Sequence, residues 1–191
     1  MKRCDWAESN EKMQRYHDDI WGKPEYSDQQ LFRKLILELN QAGLSWQTIL
    51  NKMARFDEAY EHFDIEKVAN FSEEKLEELM QNPGVIRHRK KIEAAIVNAQ
   101  KVLEIQASGI SFANFLWEYV DFQPINHQCQ RMSEVPATNQ VSEQLAKDLK
   151  KMGFKFVGST TIYAFMQAVG MINDHLVTCP CYQKVKEKAN A

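Results

Sequence analysis

The sequence ELNQAGLSW, residues 38–46, decides how this chain folds, because it ends one predicted helix and begins the next. Glu38 lies on the apolar face of the first helix, since the apolar residues before it recur at helical spacing. Gly43 stands where a residue just past a helix C-terminus is expected. Ser45 stands where an N-cap is expected, so Trp46 falls in the first turn of the second helix.

Glu38 is the unusual residue of this stretch, because an isolated buried carboxylate costs several kcal/mol unless it finds a partner. One interpretation places Glu38 at the edge of the apolar stripe, where it reaches solvent or accepts a bond from a backbone amide. The other places it beside Trp46, in a pocket for a flat, polar or cationic ring. The spacing directs Arg33 and Lys34 away from this face.

The bulk composition is typical of a globular protein. The chain has 191 residues, of which 44% are hydrophobic and 26% charged, and we expect one domain of two helical lobes over residues 1–191. No apolar run approaches the roughly 20 residues that span a bilayer, and residues 1–6 do not show the apolar core expected of a signal peptide. The net charge of -2 excludes a global basic field, so a nucleic-acid contact needs a local basic patch. We expect a monomer in the cytoplasm, where four cysteines do not form a disulfide framework.

Helix caps and apolar periodicity predict an all-α fold. The predicted N-caps are Ser27, Ser45, Asp64, Ser72, Ser111 and Ser142. A helical turn is expected around residues 10–18, and a long helix that follows Arg87 ends near Gly109. Residues 121–141 show no period and are expected to be irregular, and residues 183–191 are expected to form a flexible tail. No pair of segments alternates as paired strands would.

A turn and a basic run lie between two of the predicted helices. The turn is Asn82-Pro83-Gly84-Val85, and Arg87-His88-Arg89-Lys90-Lys91 opens the helix that follows. Amides at a helix start, and the positive end of its dipole, can hold a phosphate group. The alternative is a solvated charged face, which is what basic runs usually are.

Candidate metal ligands occur at the two ends of the chain. His175 and Cys179 are close enough in sequence to share one ion, and Cys4 and His17 form the comparable pair at the other end. Structural zinc takes four Cys or His ligands in a tetrahedron. These four would therefore join the two termini, with no position left for water. The alternatives are buried free cysteines, or Cys181 in place of Cys179. The fourth cysteine, Cys129, is expected to be inert.

The chain resembles the bacterial 3-methyladenine DNA glycosylase I enzymes of the helix-hairpin-helix glycosylase superfamily over nearly its whole length. The matching segments are Arg3-Cys4-x-Trp6, Tyr16-His17-Asp18, Trp21-Gly22-x-Pro24, residues 41–46, Ile86-Arg87-His88-Arg89, residues 153–158 and Asn173-Asp174-His175. The resemblance implies an all-α, two-lobed fold with a DNA-facing helical hairpin. It also implies a structural zinc ion on the residues Cys4, His17, His175 and Cys179.

The same resemblance implies the residues of a base-excision site. Those that match the pocket for the excised base are Glu38, Tyr16, Trp46 and Trp21. Those expected to contact DNA are Gly43, Leu44, Gly84, Ile86, Arg87, Arg89 and Lys91. The sequence departs from the family pattern at Met13, where a pocket-edge tyrosine is common, and at Pro83, which has no amide hydrogen to donate.

These residues lead to a specific functional hypothesis. Alkylation at N3 makes adenine cationic and a better leaving group, so its removal needs little acid catalysis. The expected enzyme flips the base out of double-stranded DNA and hydrolyses the N-glycosidic bond without cutting the strand. Trp46 and Tyr16 would stack on the ring with Trp21 behind them, Glu38 would recognise the base, and Leu44 would fill the gap in the duplex or simply belong to the core.

Three other functions fit parts of the sequence. A zinc-stabilised protein could use the hairpin to hold DNA without chemistry, but such a binder gives Glu38 no purpose. A metal-dependent hydrolase could use the Cys/His cluster, in which case metal removal would abolish turnover alone. A glycosylase with a different base range is the third, because Met13 alters the pocket edge.

Overall fold

The structure, a computed structural model, describes the backbone of residues 2–189 and the side chains of residues 2–187. The α-helices of this part of the chain are α1 (Glu11–Asp19), α2 (Asp28–Gln41), α3 (Trp46–Ala59), α4 (Ile65–Ala69), α5 (Glu73–Gln81), α6 (Arg89–Ala107), α7 (Phe112–Trp117), α8 (Gln140–Lys151), α9 (Ser159–Ala168) and α10 (Pro180–Ala189). None of these helices is long and apolar enough to cross a membrane.

The fold is predominantly helical, with one departure from the all-α prediction. Two short strands, β1 (Ile125–Asn126) and β2 (Ile172–Asn173), pair in parallel with Ile125 opposite Ile172. A two-residue strand is too short to produce an alternating pattern, so periodicity could not find it. The first strand lies within residues 121–141, for which the sequence predicts irregular structure.

Most of the predicted caps are confirmed. The side chains of Ser27, Ser45, Asp64, Ser72 and Ser111 each accept a hydrogen bond from the backbone amide three residues later. The prediction for Ser142 is wrong by three residues. Asn139 caps α8 instead, and its side chain accepts from the amide of Ser142 while the Ser142 hydroxyl accepts from the Asn139 amide. Both residue types favour N-caps, so the sequence left two candidates three positions apart.

Helix α2 is the centre of the fold. It contacts α3, α6, α7 and α9, so that every residue from Leu35 to Asn40 is buried, whichever way it points. Each large apolar side chain buried in this way contributes about 1.5–3 kcal/mol. The same packing encloses three polar residues of α2, namely Lys34, Glu38 and Asn40. Polar groups are therefore held inside the core around this helix.

Lys91 joins the start of α6 to the end of α2. Its ammonium donates to the carbonyl oxygens of Asn40 and Ala42 at 2.8 and 2.7 Å, and burial lowers the pKa of Lys91. Carbonyls at a helix C-terminus lack intrahelical donors and favour a cation. The expectation that Lys91 contacts DNA is corrected by this arrangement, because its charge is directed into the protein.

The C-terminal segment is helical where a flexible tail was expected. Helix α10 extends to Ala189, and Tyr182 and Val185 are buried on one of its faces. The polar residues between them concealed that apolar face in the sequence. The last two residues, 190 and 191, lie outside the described part of the chain.

Candidate functional site

Four side chains from the two ends of the chain meet in one buried cluster. Cys4 precedes a short 3-10 helix, His17 lies in α1, His175 follows β2, and Cys179 precedes α10. One ligand atom from each lies within 4.8 Å of the others. The structure thus brings together the same four residues that the sequence grouped, and the cluster can hold a metal ion.

The distances within this cluster fit a tetrahedral ion. His17 Nε2 and His175 Nδ1 are 3.2 Å apart, and Cys179 Sγ lies 3.5 Å from the first and 3.8 Å from the second. Cys4 Sγ lies 3.9 Å from His175 Nδ1. Zinc bonds of about 2.0 Å to nitrogen and 2.3 Å to sulfur place tetrahedral ligands roughly 3.3–3.8 Å apart. Two sulfurs and two nitrogens at these separations are a donor set suited to zinc.

A hydrogen bond between the two sulfurs of the cluster shifts their pKa values in opposite directions. A bond from the Cys4 thiol lowers the pKa of Cys179 and raises that of Cys4, because the proton stays on the donor. This bond favours the thiolate form of Cys179, which is the form that binds metals.

His17 is oriented by a carboxylate behind it. Its Nδ1 lies 2.8 Å from Asp18 Oδ1, so the tautomer that donates to Asp18 leaves Nε2 free to face the cluster. The Arg3 guanidinium holds both oxygens of Asp18, and Arg3 followed by His17 lowers the pKa of that carboxyl to about 2. Cys181 lies on this outer side, 3.9 Å from Nδ1. It is therefore not placed to replace Cys179.

His175 is held by its neighbours on the other side. The amide of His175 donates to the side chain of Asn173, which belongs to β2. A Cβ atom at Gly22 would lie 2.9 Å from His175 Nε2, and Gly22 has a φ of +74°. A glycine is needed there both for the left-handed backbone and for the close approach of the ring.

Trp21 belongs to this cluster rather than to the surroundings of Glu38. Its ring centroid lies 4.6 Å from that of His175 and 5.1 Å from that of Trp6. It does not line the cavity beside Glu38. The role behind Trp46 and Tyr16 that was expected of Trp21 stays a prediction.

The second candidate site surrounds Glu38. Its carboxylate is 6% exposed and borders a cavity of about 10 Å³ that Tyr16 and Trp46 also line. This volume holds about one water molecule, so a purine ring does not fit inside it. The rings of Tyr16 and Trp46 contact each other, with their centroids 5.0 Å apart. A flat ligand therefore cannot lie between them, although the half-buried Trp46 can still offer a face.

Three polar groups at this cavity form no hydrogen bond within the described part of the protein. Within the described side chains, neither the Glu38 carboxylate nor the Tyr16 hydroxyl forms a hydrogen bond, and the buried Nε1 of Trp46 has no acceptor. Burial raises the pKa of Glu38 to about 8, against a smaller opposite effect of Lys34. A buried acid without a partner destabilises the fold, which is a common property of binding and catalytic sites.

Two cations lie beside Glu38, contrary to the expectation from the sequence. Lys34 and Arg33 line the same cavity, although both were expected to point elsewhere. Lys34 is 9% exposed because α9 packs over it. It lies four residues before Glu38, and this spacing, which places two side chains on one helix face, is the signal that could have found it.

The loop between α2 and α3 presents exposed backbone and one exposed apolar side chain. Gly43 has a φ of +78° with no atom within 4 Å of a Cβ built there, and Leu44 is 38% exposed. Leu44 is thus outside the core, which removes the alternative interpretation of this residue. Met13, the departure noted at the pocket edge, is buried in α1.

The turn between α5 and α6 contributes exposed side chains that carry or can carry positive charge. They are Arg87, His88 and Lys90. Arg89 instead forms ion pairs with Glu73 and Glu77.

Gly84 and Ile86 of the same turn are engaged within the protein. A Cβ at Gly84 would lie 2.9 Å from Arg55, and the Gly84 amide donates to the Asn82 side chain at 2.8 Å. Ile86 packs against the core. The cationic surface of the turn is therefore carried by its exposed residues.

Comparison with known proteins gives a consistent result. The methyladenine glycosylase family model matches residues 6–182. The chain is 46% identical to DNA-3-methyladenine glycosylase 1 of Escherichia coli (strain K12) over 95% of this chain and 97% of that one. A crystal structure of a 3-methyladenine DNA glycosylase I superposes with a TM-score of 0.92 at 46% identity, over 94% of this chain and 99% of that one. The Staphylococcus aureus enzyme, whose structure concerns 3-methyladenine recognition, has a TM-score of 0.90 at 40% identity over 93% and 94%.

The raised pKa of Glu38 predicts how stability depends on pH. The pKa of this carboxyl is about 8 in the folded protein, against an ordinary 4.5. The folded protein therefore becomes less stable as the pH rises from 4.5 to 8. The variant Glu38→Gln has no such proton to lose. We expect it to be more stable than the wild type by about 4–5 kcal/mol at pH 8.5 and similar to it at pH 4.5.

Urea denaturation across this pH range measures the difference. Glu78→Gln, at an exposed position of α5, is the control and should parallel the wild type at every pH. Equal pH slopes for Glu38→Gln and the wild type would contradict a desolvated carboxyl at position 38.

Proposed function

Since this chain belongs to the methyladenine glycosylase family, we propose that it removes N3-methylated adenine from alkylated DNA by hydrolysing the N-glycosidic bond. The observation that carries this proposal is the Glu38 carboxylate, which is buried, lacks a hydrogen-bond partner among the described residues and lies beside Trp46. A carboxylate in this state gains most from a cationic ligand that also donates a hydrogen bond.

Base recognition follows from this geometry. The flipped purine stacks on the accessible face of Trp46, outside the small cavity, and directs its exocyclic amine towards Glu38. A cationic ring gains roughly 0.5–2 kcal/mol from an aromatic face. Tyr16 supports Trp46 from behind and offers its hydroxyl, because burial followed by the charge of Glu38 raises its pKa well above the ordinary value and keeps it protonated. Normal adenine is neutral and gains less from both contacts.

The reaction is the hydrolysis of an activated leaving group. The positive charge on the alkylated base weakens the glycosidic bond, so the bond breaks towards an oxocarbenium-like sugar that water then attacks. Glu38 stabilises the charged base in its pocket rather than acting as a general base. The ammonium of Lys34 is buried and donates to the Ala168 carbonyl, so it is not presented to the sugar as a Schiff-base nucleophile. This arrangement supports the proposal of a monofunctional enzyme.

DNA is held by two adjacent loops. Lys91 joins the end of α2 to the start of α6, which supports the proposal that Leu44 and the exposed Arg87, His88 and Lys90 act on the same DNA. The hairpin of α5 and α6 contacts the phosphates, and Leu44 fills the gap left by the flipped base. Because the amide of Gly84 is already bonded to Asn82, exposed side chains contribute more to this contact than the turn backbone does.

A zinc ion in the cluster of Cys4, His17, His175 and Cys179 would have a structural role. All four positions of the tetrahedron are taken by protein atoms, so no position remains open for a reacting water. The metal-dependent hydrolase is therefore disfavoured. A binding module without chemistry is disfavoured as well, because phosphate contacts require no buried carboxylate.

Base release from alkylated DNA tests the proposed activity. We expect the wild type to release 3-methyladenine, and Glu38→Gln to release it with kcat/KM lower by roughly 10- to 100-fold. Such a loss corresponds to one charge-assisted hydrogen bond of about 1.5–3 kcal/mol. Chromatography of the freed bases gives the rate, and gel electrophoresis should show intact strands.

Duplex affinity supplies the control for this experiment. Glu38→Gln should bind undamaged duplex as the wild type does, because Glu38 does not contact phosphates. Failure of the wild type to release any methylated purine would refute the activity. Release at equal rates by both proteins would refute the role of Glu38.

Metal removal tests the structural zinc proposal. We expect one zinc ion per chain in the wild type and loss of the metal in Cys179→Ser, with a stability decrease of several kcal/mol. Elemental analysis and thermal unfolding measure the two effects. Cys181→Ser is the matched control, two residues away, and should retain its metal. Metal loss in Cys181→Ser but not in Cys179→Ser would contradict the assigned ligands.

A further inference from the structure

Lys34 and Glu38 are two buried charges on one face of α2 that share a cavity without touching. Lys34 lies one helical turn before Glu38, and both line the cavity of about 10 Å³ beside Trp46. The Lys34 ammonium donates to the carbonyl oxygen of Ala168 at 3.1 Å. Ala168 is the last residue of α9, where a carbonyl lacks an intrahelical donor and favours a cation. The position of the ammonium is therefore fixed by α9 and not by Glu38.

The other charged groups near this cavity are neutralised or more exposed to solvent. Arg33, the second cation of the wall, forms a two-pronged ion pair with Asp57 of α3 at 2.6 and 2.9 Å. Glu25 lies 4.0 Å from the Lys34 ammonium and its side chain is 25% exposed, so water screens it. Tyr16 of α1 contributes a neutral hydroxyl. Lys34 is thus the cation whose charge is available to Glu38.

The gap between the two groups matters for recognition. A direct lysine–carboxylate hydrogen bond would occupy the acceptor oxygens that a ligand needs. With the ammonium bonded to Ala168, the charge of Lys34 acts on Glu38 through space and leaves these oxygens free. The arrangement provides a compensating charge without a competing hydrogen bond.

We propose that Lys34 is a positioning residue whose charge favours the ionised form of Glu38 while leaving the carboxylate oxygens free to receive the substrate. Burial raises the pKa of Glu38, and the positive charge of Lys34 lowers it, so the ionised fraction near neutral pH depends on Lys34. Removal of this charge shifts the ionisation of Glu38 to higher pH. The kinetic consequence rests on the proposed function, whereas the ionisation itself does not.

Carboxyl NMR tests the ionisation directly. Protein labelled with ¹³C at glutamate carboxyls is titrated, and the Glu38 signal is assigned by its loss in Glu38→Gln. We expect the titration midpoint to lie at higher pH in Lys34→Met, which retains the packing of the lysine stem. Lys34→Gln retains a hydrogen-bond donor for Ala168 without the charge, and it should shift the midpoint in the same direction. This variant replaces Lys34→Met in the experiment if Lys34→Met does not fold. Lys34→Arg should keep the wild-type midpoint.

The pH profile of base release provides the second measurement. At pH 7 we expect kcat/KM of the neutral variants to fall about tenfold, because one pH unit in the midpoint changes the ratio of ionised to protonated Glu38 tenfold. At pH values above the new midpoint, kcat/KM of the neutral variants should equal that of the wild type. A merely structural role of Lys34 would instead lower activity equally at all pH values. Lys67→Met, at an exposed lysine of α4, is the control and should match the wild type.

The outcomes separate this inference from the proposed function. An unchanged Glu38 midpoint in both neutral variants overturns the inference, whatever the kinetics. A shifted midpoint with no change in the pH profile supports the electrostatic role of Lys34 and refutes the role of Glu38 in base release. A shift in both measurements supports both.

Discussion

The enclosure of α2 on all its sides is the constraint from which the rest of the structure follows. A helix packed against α3, α6, α7 and α9 has no solvent face in its second half, so any polar residue there must be satisfied internally or kept for a ligand. Asn40 donates to the Ile36 carbonyl and Lys34 to the Ala168 carbonyl. The Oδ1 atom of Asn40 has no donor, and the Glu38 carboxylate is bonded to no other described residue. The core that stabilises the protein therefore also encloses a carboxyl group with no hydrogen-bond partner among the described residues.

The Cys/His cluster, which could hold a metal ion, supports this site from a distance. It brings Cys4 and His17 of α1 together with two residues that precede α10, and so fixes the helix that carries Tyr16. Tyr16 precedes His17 in sequence, and its ring contacts Trp46 while His17 faces the cluster. In the proposed enzyme a metal ion thus acts on the base pocket only through the placement of α1. Arg3 and Asp18 extend this linkage, because they orient the ring of His17.

The sequence predicted the parts of this structure that depend on local rules. The caps Ser27 and Ser45, and the break at Gly43, follow from hydrogen bonding and backbone conformation within a few residues. The grouping of Cys4 with Cys179 was reachable only from ligand chemistry, since these two cysteines lie at opposite ends of the chain.

The features that the sequence did not predict depend on packing between distant elements. The spacing of Lys34 and Glu38 could have placed both on one face of α2, but the burial of Lys34 depends on α9, whose position is not encoded locally. The contact of Trp21 with the ring of His175 was not predicted. Lys91 looked like one more member of a basic run, and only the approach of α6 to the end of α2 shows that its charge is directed inward. In each case the sequence identified the residue as notable but did not predict which residue it contacts.

The central claim is that the Glu38 carboxylate, which has no partner within the described residues, recognises the methylated purine. Binding of the free base tests this claim most directly. Isothermal titration calorimetry of 3-methyladenine and adenine against the wild type and Glu38→Gln gives four affinities under one set of conditions. The account predicts that the wild type prefers 3-methyladenine, and that Glu38→Gln binds it about tenfold more weakly or worse. Equal affinity of the two proteins for 3-methyladenine would contradict it.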